Sequence, residues 1–354
     1  MGPRAYARSC TLEHPKTAVE LNARMETVDL LVVGAGPIGL ACAVEARRAG
    51  LTARVVEKGT LVNSILGYPA QMEFFSTPEL LEIGGHPLAT RRYKPLREEA
   101  IDYYIGVALR EGLDVRLSER VVDIEGEAGA FVVVTERGEH RARAVALATG
   151  FFDQPNRLDV PGEDLPHVTN YYREPYPYAG RDVVVIGAKN SAARAALDIN
   201  RTGGRVTLVV RGAEVSPSVK YWQRPDLLNR IADGAIAAHF NTTVEEITPM
   251  HVHVRTPDGP RALPADAVLS LVGYHPDFRF LESVGIALEG EVLVPAVDPG
   301  TMESSRPGVY LAGTVCGGRN TSRWFIENGR IHAAQIAAHL AGLPAPVAIV
   351  QGQP

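Results

Sequence analysis

The stretch LLVVGAGPIGL, residues 30–40, restricts the fold of this chain more than any other. A short buried strand is expected at Asp29–Val33, running straight into Gly34-x-Gly36-x-x-Gly39, with a helix following through Ala49. Each glycine has its own task in such a turn. The first makes the bend, the second lets backbone approach a pyrophosphate, and the third lets helix pack closely on strand. Pro37 and Ile38, between the second and third glycines, belong to the same phosphate-facing turn. The helix start then offers unpaired N–H groups and the positive end of its dipole. A second strand, Thr52–Val56, ends in Glu57, where an acid accepts hydrogen bonds from a ribose 2′-hydroxyl and repels a 2′-phosphate.

The same arrangement occurs again. A strand at Asp182–Ile186 leads into Gly187-Ala-Lys189-Asn190-Ser191-Ala192, with Ala192 at the third glycine position, a tolerated variant. A helix (Ala192–Arg201) and a strand (Arg205–Val210) follow, and that strand ends in Arg211, with Lys220 further on. A guanidinium there welcomes the 2′-phosphate that Glu57 would turn away, so NADPH is expected over NADH. Two nucleotide sites in one chain suit a hydride passing from the nicotinamide C4 of one cofactor to a second cofactor.

The first site is assigned by residues far downstream. Thr301-x6-Gly308-Val-Tyr-Leu-Ala-Gly313-Thr314 resembles the second FAD fingerprint of two-dinucleotide-domain flavoproteins, in which a short strand ends in Gly-Asp beneath the ribityl chain. Thr314 replaces the acid; its hydroxyl still makes one hydrogen bond to a ribityl hydroxyl, with weaker binding expected. Ala144–Gly150 is another hydrophobic strand, ending in Thr149-Gly150, and Val115–Arg143, which contains Val122, alternates like a small antiparallel meander. The expected fold is α/β with two dinucleotide-binding (Rossmann-like) domains. An FAD domain at 28–155 and 276–342 is interrupted by an NADPH domain at 160–275. Residues 1–27 are expected to be a flexible extension, with Met25 as the natural start, and 343–354 a loose tail.

Composition closes off other classes. The 354 residues suffice for two cores, and 45% hydrophobic with 22% charged residues is ordinary for a globular protein. A net charge of −5 without basic runs gives no reason to expect nucleic acid or a membrane surface. No apolar run approaches the roughly 18 residues of a membrane span. Cys10, Cys42 and Cys316 are too far apart for a disulfide framework or a zinc site, the ten histidines show no metal spacing, and a reducing cytoplasm is expected.

From residue 28 onward the chain resembles thioredoxin-reductase-like flavoproteins. Thioredoxin reductase carries a redox Cys-x-x-Cys just before its second glycine-rich strand. Here Tyr171-Tyr172-Arg173-Glu174 stand in that place, so no dithiol can serve thioredoxin. A narrower resemblance is to the bacillithiol-disulfide reductase family, the branch without that motif. It rests on Val62-Asn-Ser-Ile-Leu-Gly-Tyr-Pro69, Phe74-Phe-Ser-Thr-Pro-Glu-Leu-Leu-Glu-Ile-Gly84, Val160-Pro-Gly-Glu-Asp-Leu-Pro166, Gly273-Tyr-His-Pro-Asp277 and Phe325-Ile-Glu-Asn-Gly-Arg330. This resemblance implies an FAD- and NADPH-dependent homodimer that reduces the disulfide of a low-molecular-weight thiol in redox homeostasis. Lys58, Asn63, Tyr68 and Val122 join the expected flavin contacts.

One departure matters. The family typically has a cysteine within the first glycine-rich turn, where this chain has Ile38, which cannot form a mixed disulfide. Cys42, one helical turn on, is expected to pack against the sheet. Cys316, just past Thr314, is the one credible substitute thiol; its bland reading is a small residue filling a loop. Without a protein thiol, electrons pass straight from reduced flavin to substrate. The rival readings are a flavin monooxygenase or NADPH oxidase, suggested by His167-x3-Tyr171 and ATGFFDQP, and a ferredoxin- or quinone-type electron-transfer reductase. A flavin-binding sensor without turnover is a third.

Overall fold

Strand β1 (Val28–Val33) lies at the heart of the first sheet. It pairs in parallel with β2 (Ala53–Val56) on one side and with β6 (Gly138–Leu147) on the other. Leu30, Leu31 and Val32 are fully buried, as a parallel strand covered on both faces requires. The structure, a computed structural model, describes residues 26–344 and 346, so the expected N-terminal extension, Met25 and nearly all of the tail lie outside the described residues.

The register of this sheet builds one edge. Val33 stands opposite Val56 and Leu147, and Leu147 opposite Leu311 at the end of the short strand Val309–Leu311. Gly34, Glu57, Ala148 and Ala312 therefore emerge side by side at the carboxyl ends of the strands. This is where the connections from β1 and β6 diverge, and where open α/β sheets place their ligands. Helix α1 (Pro37–Arg48) packs on β1, β2 and the helix Ile331–Leu340, and buries small residues, with Cys42 completely enclosed.

The second sheet repeats the plan with five parallel strands around β8 (Asp182–Ile186). Ile186 stands opposite Val209 and Ser270, which brings Gly187, Val210 and Leu271 to one edge. Two neighbouring crossings join the sheets, marked by the bridge between Pro155 and Tyr274. A three-stranded antiparallel sheet (Thr243–Ile247, His251–Thr256 and Gly259–Pro264) covers one face, where Val252, Val254 and Leu263 pack with Val184, Ile186 and Val268. The sequence pattern held no expectation for that layer. Among the described residues, no helix is long and apolar enough to cross a membrane.

Three local expectations differ from the structure. The meander and the separate strand at Ala144 are joined in one ten-residue strand, β6. Its first half pairs antiparallel with Phe131–Thr135, and its second half lies between β1 and Val309–Leu311. The change from alternation to a solid apolar run thus marks a change of neighbours, not a chain break. Asp114–Arg116 does not belong to the meander: it pairs in parallel with β2. The second turn's helix begins at Asn190 rather than Ala192, because its first turn includes the polar end of the motif.

A Cβ at Gly39 would stand 1.9 Å from the Gly34 carbonyl oxygen, whereas one at Gly36 would meet nothing within 4 Å. Gly39→Ala is therefore expected to destabilise the fold by about 3 kcal/mol through overpacking. Gly36→Ala should stay within about 0.5 kcal/mol of the parent, as an uncrowded substitution does. Urea unfolding of the flavin-free proteins checks the pair.

Candidate active site

The first turn fits a pyrophosphate. Gly34 has φ +108°, and a Cβ there would lie 2.6 Å from the Ala148 carbonyl oxygen. The space above Gly36 is open, no side chain caps α1, and no acid stands in its first turn, so its leading N–H groups face that space. Pro37, the first helical residue, has no N–H to leave unpaired. Glu57 is nearly buried; its two carboxylate oxygens accept from the Ala35 and Gly59 N–H groups, each at 2.8 Å. Burial pushes its carboxyl upward, opposed by those two hydrogen bonds. Lys58 pairs with Asp153 at 2.7 Å, and Asn63 accepts from the Thr60 hydroxyl at 3.5 Å. Val122 occupies a β-bulge with its side chain exposed.

The strand ending at Leu311 brings the second group of expected residues to the same place. Gly313 has φ +80°, and a Cβ there would be 3.0 Å from Ile38; a Cβ on Gly329 would be 3.3 Å from Gly313 Cα and 3.8 Å from Ile38 Cδ1. Ile38 is thus an apolar wedge between two glycines. The Thr314 hydroxyl faces Gly150, itself at φ +70° and following Thr149. Cys316 is 3% exposed, and its sulfur lies 4.0 Å from His332 Nδ1. Burial pushes this thiol well up and pulls His332 down to about 4. At neutral pH the pair is a thiol beside a neutral imidazole, not a thiolate beside an imidazolium.

A cleft of about 3030 Å³ runs from Tyr68, Phe152, Thr314 and Cys316 to the second turn. Gly187 has φ +142°, and a Cβ there would be 2.5 Å from the Leu271 carbonyl oxygen. Lys189, Asn190, Ser191, Arg211 and Lys220 all line this end, and no acidic side chain does so between residues 186 and 244. Among the described residues, neither Lys189 nor Arg211 makes an ion pair, so their charges stand free for an anion. The Asn190 side chain accepts from the Lys220 backbone N–H at 3.0 Å, tying the following loop to the turn. The Lys220 ammonium itself lies 4.5 Å from the Phe75 ring centre, across the cleft. Arg194, absent from the sequence reading, lines the same end and pairs with Asp198 at 3.2 Å. Its place one helical turn beyond Asn190 was the available signal.

A pyridine nucleotide-disulphide oxidoreductase profile matches residues 31–313. The chain belongs to this family. It is 40% identical to the bacilliredoxin reductase Bdr of Bacillus subtilis (strain 168), over 88% of this chain and 97% of that protein. The bacillithiol disulfide reductase Bdr (YpdA) from Bacillus cereus superposes with a TM-score of 0.87 at 38% identity, covering 90% of this chain and 99% of that one. Thioredoxin reductase from T. acidophilum shares the fold alone, with a TM-score of 0.71 at 21% identity over 89% of this chain and 98% of that one. Within the family the chain stands in the bacillithiol-disulfide-reductase branch and is a flavin-dependent disulfide reductase, with FAD and NADPH as its cofactors.

In this oxidoreductase the tyrosine run fills the seam between the two sheets. Tyr171 stacks on Tyr274, with ring centres 5.6 Å apart, and donates to the Phe152 carbonyl at 3.0 Å. Phe152 in turn meets Tyr68 edge-on at 5.0 Å. Tyr172 is 5% exposed and donates to Asp198 at 3.3 Å. The place of a mobile dithiol is therefore occupied by packed, hydrogen-bonded rings.

Arg211→Ala is expected to raise the Michaelis constant for NADPH roughly 10–100-fold while leaving that for NADH nearly unchanged, since a charge-assisted contact contributes about 1.5–3 kcal/mol. Steady-state kinetics with both nucleotides test this. A second expectation concerns pH. His332 has its folded value below the unfolded one, so the unfolded chain binds the proton first as pH falls. About 3 kcal/mol present at neutral pH should be lost progressively from about pH 6.5 to about pH 4. Denaturant titrations over this range should show a shallower slope for His332→Asn.

Proposed function

We propose that the enzyme uses NADPH to reduce the disulfide of a low-molecular-weight thiol of the bacillithiol type, with no protein thiol in the relay. NADPH, one proton and the disulfide give NADP⁺ and two thiols. The observation that carries this reading is the chemical quiet of the two cysteines among the described residues. Ile38 stands wedged where the family has its cysteine, and Cys42 and Cys316 are both buried, with burial pushing Cys42 to about 12 and Cys316 higher still.

When bound, FAD supplies the two-electron link between nicotinamide and disulfide. The chain's own residues bind and orient. The Gly34–Gly39 turn and the α1 N-terminus hold the pyrophosphate, and Glu57 takes the adenosine ribose. Thr314, Gly150 and Tyr68 bound the ribityl and ring end, and the bulge at Val122 offers backbone near the nucleotide's far end. Gly187–Ser191 hold the second pyrophosphate, with Arg211 and Lys189 for the 2′-phosphate. Two buried free thiols suit a reducing cytoplasm, and a homodimer is the reading that the family resemblance supports.

NADPH consumption with bacillithiol disulfide, glutathione disulfide, coenzyme A disulfide, ferredoxin and oxygen, compared side by side, tests the proposal. A small disulfide should be turned over fastest; faster turnover of ferredoxin or a long-lived oxygen adduct would sink it. Cys316→Ser should change disulfide turnover by less than about threefold, under roughly 0.7 kcal/mol of barrier. A flavin-loaded, NADPH-reducible Cys316→Ser enzyme without disulfide turnover would instead put Cys316 in the relay.

A further inference from the structure

The peptide at Gly313 carries an unusual constraint. It follows the last ladder bond of its strand, in which the Ala312 N–H donates to the Leu147 carbonyl at 3.0 Å, and it belongs to a glycine at positive φ. Such a residue has wide backbone freedom. Its N–H donates to His332 Nδ1 at 3.0 Å, a partner 19 positions away in the first turn of the helix Ile331–Leu340. Because Nδ1 accepts this bond, the neutral ring carries its proton on Nε2. Nε2 has no hydrogen-bond partner in the protein. The ring is instead gripped by packing: it is 1% exposed and meets Trp324 edge-on, with ring centres 4.4 Å apart.

We propose that His332 is a positioning residue for the flavin end of the site, acting through the Gly313 peptide. The inference rests on the placement of FAD at Gly313-Thr314. Thr314 stands where a carboxylate is usual and brings a single hydroxyl, so the direction of the backbone carries more of the contact. Ile38 and Gly329 close on Gly313 from the other sides by van der Waals contact, which sets distance but not peptide orientation. The hydrogen bond that the Gly313 N–H donates to His332 Nδ1 sets the orientation. Since burial holds the imidazole neutral down to about pH 4, its Nδ1 lone pair stays available throughout the physiological range.

Asparagine and glutamine separate the two ring nitrogens. His332→Asn puts an amide oxygen near the place of Nδ1. His332→Gln carries its amide to the place of Nε2 and leaves the Gly313 N–H without an acceptor, as does His332→Leu. The dissociation constant of FAD from the deflavinated protein and the positions of the visible flavin bands are the readouts. The Gln and Leu variants should bind FAD at least about tenfold more weakly, the loss expected when a buried N–H goes unpaired, with shifted bands. The Asn variant should stay within about threefold, with the parent's spectrum. Equal FAD affinity in the Asn and Gln variants overturns the proposal, and that comparison stands even if the Leu variant does not fold. A parent that binds no FAD overturns the underlying site as well. A parent that binds FAD but reduces no disulfide sinks only the substrate reading, and the Asn–Gln comparison still decides the role of His332.

Discussion

Everything in this molecule depends on the parallel pairing of β1 between β2 and β6. That register brings Gly34, Glu57, Ala148 and Ala312 to one edge, and the glycine turn then lays the start of α1 against them. The tolerance is small: a single methyl at Gly39 would overlap the Gly34 carbonyl, and one at Gly34 would overlap that of Ala148. Pyrophosphate chemistry follows from this packing, because the same closeness that excludes side chains leaves backbone N–H groups bare to the ligand. The second sheet applies the same solution at Gly187, where Leu271 plays the part of Ala148.

The two nucleotide ends differ in how they manage charge. Glu57 is clamped by two backbone N–H groups and nearly buried, a fixed acceptor for neutral hydroxyls. At the other end, Lys189 and Arg211 stand on a stretch of cleft wall, residues 186–244, that contributes no acid to the lining. A protein of net charge −5 thus concentrates positive charge at one end of its cleft, a field that favours an anionic ligand there. Between these ends, cation–ring contacts cross the cleft: Lys220 lies over Phe75, and Lys94 lies 4.2 Å from the Trp222 ring centre. They join loops of both sheets across the cleft.

Around Gly313 the structure places an isoleucine, a second glycine, a neutral histidine and a protonated cysteine in one tight junction. None of the titratable groups there is set up for attack on a disulfide at neutral pH. A thiolate needs exposure or a dominant positive neighbour; Cys316 is buried, and burial outweighs the opposing pull of Arg323. The junction instead fixes the peptide that follows the strand Val309–Leu311, through Ile38, Gly329 and the hydrogen bond to His332.

Both glycine-rich turns, the acid after one and the arginine after the other, and the missing dithiol were all legible in the residues, because each is a short-range pattern written in consecutive positions. Strand β6 was legible only in pieces, since its two halves answer to different neighbours. What only the tertiary structure decided are the pairings between distant residues: Gly313 with His332, Ile38 with Gly313 and Gly329, and Lys220 with Phe75 across the cleft. Nothing local marks His332 among ten histidines, and nothing in the Cys316 sequence shows whether its sulfur is wet or buried. A strand–turn–helix motif is specified by local sterics and backbone hydrogen bonding. Burial, protonation and hydrogen-bond partnership depend on which faces the folded chain brings together.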